Sequence, residues 1–249
     1  MGFVSGLGKY VKSVLDAIFP EKLTCLVCGD ELDENIEGLC KTCYKKLPFI
    51  DGKTCLKCGQ PLENLAKYCN RCQNEEIFYK KAAAVFEYDD VLKNLMFRFK
   101  NDNQRYLGRF LAKMLAQKYA QLNFDADAVI YVPLHKKRLK KRGFNQAELL
   151  CKNFCKITNM PMIRGNLVKI KDTGEQKFLS KNERVKNLEK SFFVSFRSEI
   201  KGKNVLLIDD VMTTGATSNE CARVLSGANA KNVYVLCIAT VKLQISEEN

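Results

Sequence analysis

Residues 205–217 read Val-Leu-Leu-Ile-Asp-Asp-Val-Met-Thr-Thr-Gly-Ala-Thr. Four apolar residues without alternation, Val205 to Ile208, fit a strand covered on both faces, as in a parallel sheet flanked by helices. Asp209 and Asp210 then fall at the C-terminal end of that strand, where open α/β sheets hold their ligands. Thr213, Thr214, Gly215, Ala216 and Thr217 add hydroxyls, successive backbone N–H groups and a permissive glycine, just ahead of a helical pattern through Glu220, Cys221, Val224 and Leu225. A loop of this kind at a helix N-terminus cradles phosphate. Carboxylates suited to a diol, a few residues from donors suited to phosphate, indicate a phosphorylated sugar.

An acidic pair after an apolar strand also occurs in receiver domains, but there it opens the domain and a further aspartate follows well downstream. Only 39 residues follow Asp210, and none is an aspartate.

Upstream, strand and helix patterns alternate. Ala82 to Tyr88 reads as a strand, Val91 to Lys100 and Tyr106 to Leu122 as amphipathic helices, and Ala128 to Val132 as a strand ending at Pro133. That order implies a largely parallel sheet. After Pro133 comes Leu-His-Lys-Lys-Arg-Leu-Lys-Lys-Arg-Gly-Phe-Asn-Gln, in which Gly143 and Asn145 mark a tight turn and Asn145 is placed to cap the next helix. A strand end, an arginine-rich loop and a helix start make a second anion site.

The N-terminal region carries four CxxC pairs within 48 residues: Cys25/Cys28, Cys40/Cys43, Cys55/Cys58 and Cys69/Cys72. The stretch repeats itself, Cys-Leu-Val-Cys-Gly-Asp-Glu-Leu at Cys25 being echoed by Cys-Leu-Lys-Cys-Gly-Gln-Pro-Leu at Cys55. Two thiolates separated by two residues converge on one side of a turn, and a second pair completes a tetrahedron around zinc. The repeat favours Cys25, Cys28, Cys40 and Cys43 at one zinc and Cys55, Cys58, Cys69 and Cys72 at the other; spacing alone leaves a cross-brace open. Disulfides are disfavoured, because closely paired CxxC units without a secretory signal are metal spacing. Cys151, Cys155, Cys221 and Cys237 read as core residues.

A chain of 249 residues has room for one larger and one smaller domain. No apolar run approaches the ~18 residues of a membrane span. Residues 1–20 read as a short amphipathic helix with Val4, Leu7, Val11, Leu15 and Ile18 on one face, rather than an anchor. The formal charge is +13, and residues 131–190 hold 16 Lys or Arg against 5 Asp or Glu. A basic surface of that size suits polyanions, whether a pyrophosphate-bearing ligand or nucleic acid.

The 205–217 stretch resembles the phosphoribosyl pyrophosphate (PRPP) motif of type I phosphoribosyltransferases. That resemblance implies Asp209 and Asp210 as the ribose and magnesium-side carboxylates and the catalytic pair, and Thr213, Thr214, Gly215, Ala216 and Thr217 as the loop around the 5-phosphate. It also implies that the loop after the first core strand holds pyrophosphate, with Arg138 and Arg142 as its ligands. Taken in order, the four knuckles, a helix ending in Phe-Arg-Phe-Lys, the Arg-Gly-Phe-Asn-Gln segment, a stretch with Thr173, Gln176, Leu179, Arg184 and Asn187, and the PRPP motif resemble the ComF family, of the ComFC and GntX type.

The fold so implied is an α/β, type I phosphoribosyltransferase-like parallel sheet flanked by helices, over residues 77–249. A small double zinc ribbon over 21–76 and the helix over 1–20 precede it. The cofactors implied are two structural zinc ions, and magnesium with PRPP. The family further implies a cytoplasmic protein, the inner face of the membrane included, acting on incoming single-stranded DNA in natural competence beside a helicase and an inner-membrane DNA channel. Where family members tend to carry arginine before the Thr173 segment, this chain has Lys169 and Lys171, which keep charge and lose bidentate geometry. Residues 171–187 align with the loop that closes over PRPP.

Three functions stay open on the sequence. One is PRPP binding in support of DNA uptake, with or without turnover; another is nucleobase phosphoribosyl transfer in salvage. The third is a nucleic-acid module on a non-catalytic transferase scaffold, in which Phe144 or Tyr131 offers a stacking face, Phe144 being weighed more heavily as core. His135, the one histidine, is left out of the catalytic set.

Overall fold

The computed structural model describes residues 24–241 apart from 64, 103, 174–187 and 189. The helix expected over 1–20 and most of the closing loop expected over 171–187, with Gln176, Leu179, Arg184 and Asn187, lie outside the described residues. A first compact unit ends at Leu47 and a second begins at Pro48.

The first unit is one zinc knuckle pair. The Cys25 amide donates to Asp30 O at 2.7 Å and the Gly29 amide to Cys25 O at 2.9 Å, closing the turn that aims Cys25 and Cys28 together. Gly29 holds φ +83°, which a side chain would strain. Helix α1, Lys41–Lys45, starts at Cys40, whose Sγ accepts the Cys43 amide at 3.4 Å. Leu39 and Leu47 are the apolar residues buried beside the knuckles.

The second unit opens with the repeat of that knuckle. The Cys55 amide donates to Gln60 O at 2.8 Å and the Gly59 amide to Cys55 O at 2.9 Å, so the sequence repeat is a repeat of hydrogen bonds. Its second half is α2, Asn70–Asn74. There follow β1 (Lys81–Glu87), α3 (Asp90–Asn101), α4 (Leu107–Ala120), β2 (Ala128–Tyr131), α5 (Lys136–Arg142), α6 (Gln146–Thr158), β3 (Leu167–Lys169), β4 (Phe192–Val194), β5 (Asn204–Met212), α7 (Ala216–Gly227) and β6 (Asn232–Thr240). The main sheet has the order β1-β6-β5-β2 with every pair parallel, and β3 and β4 form a separate antiparallel pair.

Two local expectations need correction. The strand read as Val205–Ile208 runs on to Met212, so the acidic pair lies inside its second half rather than just past its end. The arginine-rich loop after Pro133 is instead the helix α5, whose run of basic residues left no apolar period to read.

Helices α4 and α6 pack on each other and on the sheet, and α7 packs on β5 and β6. Phe154 of α6 is fully buried and meets Tyr119 edge-on at 5.5 Å. Phe154→Ala is expected to cost about 3–5 kcal/mol, read from the denaturant midpoint at unchanged slope; a loss under ~1 kcal/mol would show that the helix layer collapses to fill the gap. The outer edge of β1 is covered: Ile50 donates to Val85 O at 3.1 Å, Ala82 to Lys57 O at 2.7 Å, and Phe49 packs on Phe86 at 4.9 Å. Covering an edge strand removes its free pairing surface.

Candidate functional site

Successive residues of a strand face opposite sides of the sheet. Asp209 and Asp210 therefore serve different surroundings, and both are buried. Asp210 Oδ2 accepts from Lys100 Nζ at 2.7 Å and from Gln146 Nε2 at 2.9 Å, while Oδ1 accepts the Val211 amide at 2.7 Å. Asp209 Oδ1 accepts the Asp210 amide at 2.8 Å.

The two carboxyls are pushed apart electrostatically. Burial raises Asp209 to about 8, and the neighbouring Asp210 charge adds to the rise. Burial works against ionisation of Asp210 too, but Lys100, first by its charge and then by its hydrogen bond, and Gln146 hold that carboxyl below its ordinary value. The result is one firmly ionised carboxylate and one ready to exchange a proton for a cationic or hydroxyl partner.

The following loop leads into the N-terminus of α7. Gly215 is the N-cap of α7 at φ +70°, and Thr214 Oγ1 accepts the Ala216 amide at 3.4 Å. Thr213 is exposed; Thr214, Ala216 and Thr217 are part-exposed. Past the loop, the first turn of α7 carries no acidic residue to oppose an anion.

Around this edge stand basic groups from other elements. Lys169 of β3 donates to Thr173 Oγ1 at 2.8 Å, and its ammonium is penalised first by burial and then by the charge of Arg138. The charges of Asp209 and Asp172 act the other way on the same ammonium. Arg142 closes α5 and is half-buried ahead of Gly143. His135 caps α5 and lies 3.8 Å from Asp172, with Lys137 at 3.4 Å from the same carboxylate.

The Arg-Gly-Phe-Asn-Gln segment is a joint. Asn145 accepts the Ala147 amide at 3.0 Å as the cap of α6 and donates to Val132 O at 3.1 Å, fixing the helix to the end of β2. Phe144 meets Phe99 edge-on at 5.9 Å and carries the Arg105 guanidinium 4.7 Å over its ring. Tyr131 is buried, so neither ring is an open stacking platform.

Each cysteine quartet, Cys25/Cys28/Cys40/Cys43 and Cys55/Cys58/Cys69/Cys72, brings its four sulfurs within 4.8 Å of one another. Cys28 and Cys40 are 3.9 Å apart and Cys58 and Cys69 are 3.6 Å apart. Four thiolates at ~2.3 Å from a tetrahedral zinc would stand about 3.8 Å from each other. The residues fit the metal. Without a cation the thiols compete for charge: hydrogen bonds from Cys58 and Cys72 pull Cys55 down, and the bond with Cys55 drives Cys58 up.

Three contributors escaped sequence reasoning. Lys100 and Gln146 reach Asp210 from two different helices, and Arg71, within the second ribbon, donates to the carbonyl of Thr214 in the loop ahead of α7. Lys100 closes the Phe-Arg-Phe-Lys segment and Gln146 the Arg-Gly-Phe-Asn-Gln segment, whereas nothing in the sequence marked Arg71.

The double zinc ribbon domain matches residues 14–73 and the phosphoribosyl transferase domain residues 140–247. Competence protein F of Haemophilus influenzae is 32% identical over 222 residues, covering 86% of this chain and 96% of that protein. Competence protein ComFC of Bacillus subtilis is 29% identical over 222 residues, covering 82% and 89%. DNA utilization protein YhgH of Escherichia coli is 28% identical over 221 residues, covering 86% and 96%. Among solved structures, the glutamine PRPP amidotransferase of B. subtilis overlaps 53% of this chain and 26% of its own at 24% identity and a TM-score of 0.38, a partial likeness that decides nothing further. With the cysteine quartets, the parallel sheet and these relatives spanning most of its length, the chain belongs to the ComF family.

Proposed function

We propose that this chain binds PRPP with magnesium at the C-terminal edge of its parallel sheet, and that it acts in DNA uptake by handling incoming single-stranded DNA. The observation that carries the first part is the buried Asp209–Asp210 pair directly ahead of a glycine-capped loop, with Lys100 bonded to Asp210 from α3. A further support is Gln146, whose Oε1 is buried with no hydrogen-bond partner among the described residues. Buried acceptors are rarely left so, and a sugar hydroxyl would satisfy it.

In this reading Asp209 and Asp210 take the ribose hydroxyls, and Thr213, Thr214, Gly215, Ala216 and Thr217 the 5-phosphate. Arg138 and Arg142, with Lys169, face the pyrophosphate. The donor set suits a magnesium-bearing sugar phosphate, and the metal when bound supplies charge neutralisation at the pyrophosphate. Departure of pyrophosphate from such a sugar needs positioning and charge stabilisation and no protein nucleophile. Binding and turnover therefore draw on the same residues, and pyrophosphate release with an acceptor separates them.

The assignment to DNA uptake follows the competence and DNA utilization relatives, whose length this chain nearly spans. The domain bounds 1–20, 21–76 and 77–249, the cytoplasmic place, and a helicase and inner-membrane channel as partners belong to the same proposal. Among the described residues no helix is long and apolar enough to cross a membrane.

For the strand itself, helix α5 is the favoured track. Lys136, Lys137, Lys140 and Lys141 are all exposed along it. Each phosphate neutralised on a single strand contributes about 0.7 to the log–log salt slope. Lys140→Ala with Lys141→Ala should lower that slope by about 1.4 if each contacts one phosphate. Titration of a labelled oligonucleotide at several salt concentrations reads it; an unchanged slope moves the track elsewhere, and no binding at low salt ends the DNA role.

A further inference from the structure

Arg71 sits between Asn70 and Cys72 in α2, and is buried. A buried arginine normally faces a carboxylate. Here the guanidinium donates through Nη1 to Thr214 O and through Nη2 to the Tyr79 hydroxyl at 2.5 Å, with Cys72 Sγ 4.0 Å away. Of these three partners only Cys72 can carry a negative charge beside the guanidinium, and it belongs to the second cysteine quartet. A zinc bound by four thiolates carries a net charge of about −2 and would be the counterion this cation otherwise lacks.

The other end of the side chain lies in the phosphate loop. The Thr214 carbonyl and the Gly215 N–H belong to one planar peptide and point in opposite directions. Fixing the carbonyl on Arg71 therefore turns the Gly215 N–H away from the ribbon, as an anion-binding loop requires. Gly215 is adapted to this contact: a Cβ built on it would overlap the guanidinium. A second seam runs alongside, since Asn219 of α7 accepts the Phe78 amide at 2.8 Å and donates to Glu76 O at 2.9 Å.

We propose that Arg71 is a positioning residue that couples the second cysteine quartet to the phosphate loop, so that the loop holds its anion-binding shape only while that quartet holds its metal. The proposal rests on the reading of residues 213–217 as a sugar-phosphate site. The second ribbon then serves as one wall of the binding site as well as a folding element.

The test compares full-length wild type, Arg71→Met, Arg71→Lys and Cys72→Ser. Zinc is counted by mass spectrometry, hydrogen exchange is followed over 213–217, and Mg-PRPP binding is measured by calorimetry. Methionine keeps the volume and removes the buried charge, so folding survives. Arg71→Met should retain both zinc ions, exchange faster in 213–217 and bind Mg-PRPP about 10- to 100-fold more weakly. Arg71→Lys, with charge and one donor kept, should recover part of that affinity, and Cys72→Ser, which loses the second zinc and with it the seat of Arg71, should loosen the same loop. Wild-type exchange in Arg71→Met, or methionine performing as well as lysine, would overturn the coupling. If wild type itself does not bind Mg-PRPP while the loop still loosens in Arg71→Met, the coupling stands and the sugar-phosphate reading falls.

Discussion

Asp210→Asn is expected to reduce Mg-PRPP affinity about 100-fold and to destabilise the fold by about 3–5 kcal/mol, two losses with one origin. Asp210 is the ionised member of the pair, and its partner Lys100 keeps only 21% of its side chain exposed. Asparagine leaves that ammonium with a neutral amide in place of a carboxylate at 2.7 Å. Breaking one side of a buried pair strands the other charge, whereas removing both sides costs much less. Lys100→Met combined with Asp210→Asn should therefore regain most of the stability and none of the affinity. A double-mutant cycle on denaturant midpoints, run beside calorimetry, separates the two effects. Full affinity in either variant would place the sugar elsewhere.

Removing zinc from the second quartet should have the larger structural effect. Residues 51–76 have few apolar contacts of their own: Leu56 and Leu65 are exposed, and the buried apolar residues among those described there are three of the ligands, Cys55, Cys58 and Cys69. What holds the knuckles is the pair of turns at Cys55 and the Leu56 amide on Lys67 O at 3.0 Å. A structural zinc contributes about 10–16 kcal/mol to such a segment. Cys55→Ser with Cys58→Ser should unfold residues 51–76. It should also uncover the edge of β1, which the Lys57 and Val85 hydrogen bonds now hold against the ribbon. The expected readout is one zinc per chain, protease cleavage within 51–76 and a lower melting temperature for the sheet. A melting temperature equal to wild type would mean that the ribbon contributes nothing to the unit it lies in.

The features legible in the sequence were those written in local order. The cysteine spacing announced both quartets, the Val205–Thr217 stretch announced a buried strand, an acidic pair and a glycine-capped helix, and Asn145 announced its cap. Contacts made across the fold left no local mark. Lys100 meets a carboxylate from a distant element, Gln146 turns inward from the first residue of a helix, and Arg71 lies among metal ligands that overshadow it. Helix α5 was read as a loop because helix periodicity is an apolar signal, and six of its seven residues are basic. The extension of β5 through Asp209 and Asp210 was hidden for the converse reason. Charged residues end a strand in the sequence pattern, yet here β6 pairs alongside as far as Met212 and Lys100 neutralises the charge.

A sugar phosphate at the C-terminal edge of the sheet is the ligand proposed for this fold. Titration calorimetry of zinc-loaded, full-length protein with PRPP, in the presence of magnesium, tests it most directly. A saturable one-to-one heat that is lost in Asp210→Asn and that ribose 5-phosphate reproduces only weakly is the predicted result. No heat with PRPP, or equal binding by wild type and Asp210→Asn, would contradict it.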